Sequence, residues 1–466
     1  MKALKVLTLV FLVAVMTTSL VAAQGGGAWD SSFTVVNLGT SEATVSVTFY
    51  DEAGTPYTPS NLGTSTGPIS NSFRLASGAS VEILLFQTSA LPDGRYSAVI
   101  SADQPIAAIA NLTNSISGTE PYFNGSYSGL EDVGQTIMYM PAITKGYYGW
   151  NSHLSMQNLT NDNMDITVKF YVENSNLVCH TEGPHTTPAY ASWHVDVGAL
   201  SLPVSCDPNG DGYNGSATVE ASGPVAAVDN QTVDNVGLTQ DYNGFTGGAT
   251  TLYAPALYYN YYGWDSSINV QNVGTVTTTV TVNYSDGVAK TCVLGPNASC
   301  LLYQPVEGHT AGTYFSAILT ADQPLVAVIN AATSAAVGQA QTYNAFTAGG
   351  AKFGLPLTMK GYYGWNTSFT VQNIGSAAIQ VQITYAPDPS VGFTGKTYTA
   401  GPIDPGKNLE VYQPADSDLP TGYHGAVTVE VVGSGSIIAI VNQTCDGQRA
   451  TTSGDWSMSY NGLPGD

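Results

Sequence analysis

The chain has 466 residues, of which 12 are Lys or Arg, 34 are Asp or Glu and 43% are hydrophobic, giving a net charge of −22. So few cations make no basic stripe to neutralise phosphates, which excludes nucleic acid as a partner. With only 10% of residues charged, the surface is sparsely charged and mildly acidic, a balance that serves solubility and suppresses non-specific contacts.

The first predicted element is an export signal over residues 1–23. Lys2 and Lys5 give the positive start, Val6 to Val15 the uncharged apolar run, and Val21-Ala22-Ala23 the small residues of a cleavage position. The run is too short for a comfortable membrane span, and no later segment reaches that length, so no transmembrane segment is expected. No cysteine follows the signal to take a lipid. The mature chain is expected to start near Gln24 and to be secreted, either released or held non-covalently at a cell surface.

A ten-residue motif follows at once and then recurs. Its copies begin at Ala28, Gly149, Gly263 and Gly364, each followed by a tryptophan (Trp29, Trp150, Trp264 and Trp365), as in Gly263-Trp264-Asp265-Ser266-Ser267-Ile268-Asn269-Val270-Gln271-Asn272. The copies are spaced by roughly 100–120 residues, which is a whole domain rather than a solenoid unit of about 20–50 residues. Each copy opens a stretch of period-two alternation, the pattern of half-buried strands. In the first stretch this reads Phe33/Val35, Val45/Val47/Phe49, Val81/Ile83/Leu85 and Tyr96/Ala98/Ile100, with turn formers such as Ala76-Ser77-Gly78 between. Each repeat then carries a nearly continuous apolar run, such as Pro224-Val225-Ala226-Ala227-Val228, suited to a strand buried on both faces. No segment beyond the signal reads as an amphipathic helix.

Six or seven short antiparallel strands in about 100 residues describe a β-sandwich. The expected fold is all-β: four tandem immunoglobulin-like β-sandwich domains after the signal, over 24–129, 130–247, 248–349 and 350–466. In architecture and repeat style, over all of residues 24–466, the chain resembles the tandem immunoglobulin-like repeat proteins that bacteria export to their surfaces. The resemblance brings no catalytic or binding residue with it.

The connectors Tyr122-Phe123-Asn124-Gly125, Tyr242-Asn243-Gly244-Phe245, Tyr343-Asn344-Ala345-Phe346 and Tyr460-Asn461-Gly462-Leu463 close the repeats. After the first three comes one more strand-like segment, each holding a proline (Pro141, Pro255, Pro356) that an edge strand tolerates. Three such segments for four domains leave one terminal domain short of a strand. Its exposed edge is a candidate joint for self-association.

Five cysteines in an exported chain read first as disulfides. Cys292 with Cys300, across a turn signal, and Cys179 with Cys206 are the candidate pairs. Cys445 remains unpaired, either as a buried thiol or as a site of intermolecular bonding.

The aromatic residues of the motif, Trp29, Tyr148, Trp150, Tyr262, Trp264, Tyr363 and Trp365, serve either packing or ligand contact. A core plug and junction cover is the first expectation, and a platform for sugar rings the second. Asn37, Asn158, Asn272 and Asn373, with Asn111, Asn230, Asn330 and Asn442, are expected to satisfy backbone groups at strand ends. Asp207, Asn209 and Asp211 form half of a calcium loop, with Thr218 where the closing carboxylate belongs, so calcium in repeat two competes with a plain turn. No other cofactor is expected. His153, His180, His185 and His194 fit no zinc spacing. Gly63-Thr64-Ser65-Thr66-Gly67 matches a hydrolase string but precedes no helix. No catalytic constellation stands out, and the chain is read as non-enzymatic.

The expected function is a cell-surface or extracellular structural protein, a spacer or self-assembling subunit spanning roughly 120–160 Å. The alternative is a carbohydrate-binding or adhesive module array using exposed Tyr/Trp with Asn/Asp, acting on polysaccharide by avidity.

Overall fold

The structure, a computed structural model, describes residues 7–11, 29–88, 91–92, 94–114, 124–131, 134–233, 237–334, 338–445 and 455–465. These residues fold as β-strands, with only three-residue 3₁₀ turns as helix. Among them no helix is long and apolar enough to cross a membrane.

The second repeat shows the plan. A leading strand, Ile137–Tyr147, turns directly into the motif strand Trp150–Asn158. One layer runs Val178–Thr187, Met164–Val172, Tyr213–Ala221 and the leading strand. The other runs Ser192–Asp196, the motif strand, Val225–Val233 and Leu238–Asn243. The period-two pattern decides the faces: Ile166, Val168 and Phe170 are wholly buried, while the residues between them reach solvent. Val225–Val233 is buried along its whole length, the apolar run 225–228 and the polar residues 229–232 alike. In the third repeat the equivalents of these two long strands merge into one, Thr313–Thr333.

In repeats two and three the leading strand pairs along its length with one neighbour, and its other side meets only the hairpin end and isolated bridges, as an edge strand does. In repeats two, three and four its register shifts between Met140 and Ile143, between Ala254 and Leu257, and between Leu355 and Thr358. Pro141, Pro255 and Pro356 lie in these β-bulges, where a missing N–H costs no ladder bond. A connector tyrosine serves each bulge. The hydroxyls of Tyr242, Tyr343 and Tyr460 donate to the carbonyls of Ala142, Ala256 and Leu357 at 2.7, 2.7 and 2.6 Å. The same oxygens accept from the amides of Ala256 and Leu357 at 3.0 and 3.1 Å. In repeat one the residue at this register is Tyr127, not Tyr122, because Ser128 pairs with Ile109 as Asn243 pairs with Val228. Tyr122 and Phe123 lie outside the described residues.

In repeat one the leading-strand place is held by Leu7–Phe11, inside the expected signal. It pairs with Tyr96–Ala102 on one side and Leu130–Glu131 on the other. The expected missing strand is therefore filled in the full chain, and the edge opens only if residues 1–23 are removed. Lys2, Lys5 and Val21-Ala22-Ala23 lie outside the described residues.

The chain divides into two compact units: residues 1–172 with 177–246, and residues 173–176 with 247–466. Each holds two repeats joined in the same way. In the first unit Ser97 Oγ donates to the Tyr190 carbonyl at 2.6 Å, and Asn243 Nδ2 to the Ser128 carbonyl at 2.7 Å. In the second, Ser316 Oγ donates to Gly406 at 2.6 Å and Asn461 Nδ2 to Asn344 at 2.7 Å. Val228 enters the core of repeat one, and Ile440, at the equivalent register, enters that of repeat three. The junction in the first unit is close enough to demand glycine at 125, where an added Cβ would stand 1.6 Å from Asp241 Oδ2.

Cys179–Cys206 and Cys292–Cys300 are disulfides. Cys445 is buried and makes no disulfide among the described residues. Its Sγ lies 3.9 Å from the Tyr363 carbonyl, so an intermolecular bond would require the strand to open.

Candidate functional site

The motif's polar residues hold its hairpin together. The residue after each tryptophan closes the turn: Asn151, Asp265 and Asn366 accept from the amides of Gly146, Asn260 and Gly361 at 2.8–2.9 Å. The next residue, Ser152, Ser266 or Thr367, accepts from the leading-strand amide of Thr144, Tyr258 or Met359. Between the paired residues at the hairpin end, Tyr147/Trp150, Tyr261/Trp264 and Tyr362/Trp365, stand only two residues, Tyr148-Gly149, Tyr262-Gly263 and Tyr363-Gly364, all with positive φ. This is the type I′ turn, which normally takes Asn-Gly because a bulky residue is strained there. The three tyrosines are 77%, 89% and 82% exposed. Each meets the preceding tyrosine edge-on at 4.7–4.8 Å. They project from the hairpin tips, and Tyr262 stands beside the junction of repeats three and four.

Trp150, Trp264 and Trp365 are half-buried at the start of their strands, and Trp264 packs against the core of repeat three. The Trp29 side chain lies outside the described residues. In the second unit Trp264 packs 6.3 Å from Tyr258. Tyr258 in turn stacks on Tyr314 at 5.2 Å and on Tyr261 at 6.1 Å. Repeat two has Thr144 and Asn214 at the Tyr258 and Tyr314 registers, and repeat four has Met359 and His424, so this stack belongs to repeat three.

The stack forms one wall of a cleft of about 630 Å³ between repeats three and four. Repeat three contributes Tyr258, Tyr261, Tyr262, Trp264, Gln339 and Gln341; repeat four contributes Ser368, Glu410, Tyr412, Asn442 and Thr444. Tyr261 Oη donates to Glu410 Oε2 at 3.1 Å, and Asn442 Nδ2 to Tyr258 Oη at 2.9 Å. Burial raises the Glu410 pKa, and burial with the Glu410 charge pushes the Tyr261 phenol up to about 12. Tyr412 and Tyr262 keep solvent-facing rings at the mouth. Among the described residues no Lys, Arg or His lines it.

The remaining candidates do not meet there. Asp207 accepts from the amides of Gly210 and Gly212 at 2.7 and 3.0 Å, which closes the turn, and Asn209 and Asp211 point to solvent. Among the described residues no three His, Cys, Asp or Glu side chains gather as a metal site. The histidines of repeat two are dispersed: His153 lies 3.5 Å from Asp196, His194 bonds Ser155 at 2.7 Å, His180 pairs with Glu182, and His185 stacks on Trp193. Burial, with Arg95 nearby, lowers the His194 pKa to about 3. The Gly63–Gly67 string is a turn closed by Gly67 N–H on Thr64 O.

Gln339, Gln341 and Glu410 carried no motif that marks a site, and Asn442 belonged to a recurring set expected only to satisfy backbone groups. Only proximity in the fold joins them, and the one sequence signal nearby was the aromatic hairpin.

No family model and no curated protein matches the chain. Among solved structures, Thermotoga maritima 1070 is 17% identical with a TM-score of 0.20, covering 21% of this chain and 94% of its own. A tetra-tandem repeat in the extending region of a large adhesion protein is 13% identical with a TM-score of 0.11, covering 98% and 99%. The arabinofuranosyltransferase AftD from Mycobacteria is 11% identical with a TM-score of 0.10, covering 91% and 35%. At these TM-scores none of them bears on function.

Proposed function

We propose that the chain is a secreted, non-enzymatic structural protein of the cell surface or extracellular space, built from four immunoglobulin-like β-sandwiches whose neighbours are held in fixed pairs. The observation that carries this reading is the duplicated junction. Ser97 with Tyr190 and Asn243 with Ser128 in one unit are matched by Ser316 with Gly406 and Asn461 with Asn344 in the other. Such a constant, hydrogen-bonded joint suits a spacer, in which geometry is the function. The two disulfides fit an oxidising compartment.

Fractionation of producing cells followed by intact-mass analysis tests the reading. It predicts an extracellular or surface-bound chain that begins near Gln24 and carries one reducible-independent thiol. An intracellular chain retaining Met1 and five reactive thiols would contradict it.

A second reading, adhesion, is favoured by the three exposed tyrosine tips. A strained aromatic kept at the same turn position in three repeats suits contact better than folding.

A further inference from the structure

We propose that the cleft between repeats three and four binds a neutral saccharide, a segment of about two or three pyranose units. The proposal is independent of the spacer reading, since it concerns what one joint holds rather than what the array does.

A pyranose presents two chemistries, apolar C–H faces and an edge of hydroxyls that both donate and accept. The cleft presents the complement of both. Tyr262, Trp264 and Tyr412 give ring surfaces that remain open to solvent. Gln341 and Asn442, 6% and 7% exposed, set buried amides against the cavity, and amides offer a donor and an acceptor on one group. Glu410 adds a carboxylate able to accept from two hydroxyls, oriented already by Tyr261. The volume of about 630 Å³ lies inside the usual range for small-ligand sites.

Charge narrows the class. With Glu410 present and no Lys, Arg or His among the described lining residues, an anionic sugar or a phosphate would meet repulsion from that carboxylate. Aromatic rings beside a carboxylate also suit a quaternary ammonium. Its methyl shell, however, would bury the amide and hydroxyl groups of the lining against apolar atoms, and that desolvation is costly. A neutral saccharide leaves none of these groups opposed by apolar surface.

Sequence specificity of the wall supports a built site. The Tyr258/Tyr314 stack behind Trp264 replaces the smaller or polar pairs Thr144/Asn214 and Met359/His424 of the flanking repeats.

The test is isothermal titration of the full chain with cellotriose, maltotriose, chitotriose and, separately, choline chloride. The proposal expects one-to-one binding of at least one trisaccharide at about millimolar Kd or tighter. It also expects Trp264→Ala and Tyr412→Ala each to weaken that binding at least about tenfold. Tyr148→Ala, at a hairpin tip in the other unit, should leave it unchanged. Tyr412→Ala removes a half-exposed ring, so it keeps the test valid if Trp264→Ala fails to fold. Absence of binding to all three trisaccharides would overturn the proposal. So would trisaccharide binding that survives both substitutions, or choline binding that both abolish.

Discussion

Asn37, Asn158, Asn272 and Asn373 end the same strand in the four repeats, and each is wholly buried. Each amide donates to two backbone carbonyls, or three for Asn158, and accepts one backbone N–H, at 2.8 Å from Gly39, Thr160, Gly274 or Gly375. For Asn272 the carbonyls are Val276 and Leu294, at 2.9 and 3.0 Å. Asn272→Ala leaves one buried and two part-buried backbone groups without this partner and should cost about 1–3 kcal/mol in urea unfolding. This role was legible, because a short polar amide at the end of an apolar strand has few other uses. The second set was misread. Asn230 and Asn442 lie within strands and bond the side chains of Asp241 and Tyr258, which strand position alone does not reveal. The buried carboxylates were equally hidden. Burial pushes Asp229 and Asp241 up to about 7, against about 3.9 when unfolded. Between those values the folded chain binds more protons than the unfolded chain. Stability should therefore be greatest below about pH 4, fall as pH rises toward about 7, and level off above. Asp229→Asn should flatten that fall in urea titrations at pH 5 and pH 8.

At the scale of the element, alternation and turn residues were enough to place the strands, since a half-buried strand leaves its period in the sequence. What they could not show was how the strands are finished. Pro141, Pro255 and Pro356 suggested an edge, yet the bulge around each is closed by a tyrosine roughly 100 residues later in the chain, a contact invisible to any local window. The hairpin tips carry the clearest conflict between local preference and structure. Tyr262 at φ 50° with Gly263 at φ 86° occupies a turn that prefers Asn-Gly. Tyr262→Asn should stabilise the chain by about 0.5–1 kcal/mol, read as a higher urea midpoint with unchanged slope. A loss of stability would mean that the ring contributes to folding and is not held there at a cost.

At the scale of the whole molecule, four tryptophans with a domain-length spacing made the repeat plan legible. The joints were not, because they are made by residues with no motif of their own: a serine, a turn carbonyl and one asparagine after the connector tyrosine. Asn461 clamps its neighbour in both directions, donating to the Asn344 carbonyl at 2.7 Å and accepting from the Asn344 amide at 3.3 Å. Ser459 and Ser457 continue the contact to Thr342 and Ala340. The measurement that tests the paired-repeat account most directly is hydrogen exchange of the full chain with and without Asn461→Ala. The account predicts that exchange quickens by about tenfold or more in both Ala340–Asn344 and Ser457–Asn461, one strand in each repeat. Faster exchange confined to Ser457–Asn461, with Ala340–Asn344 as protected as before, would contradict it.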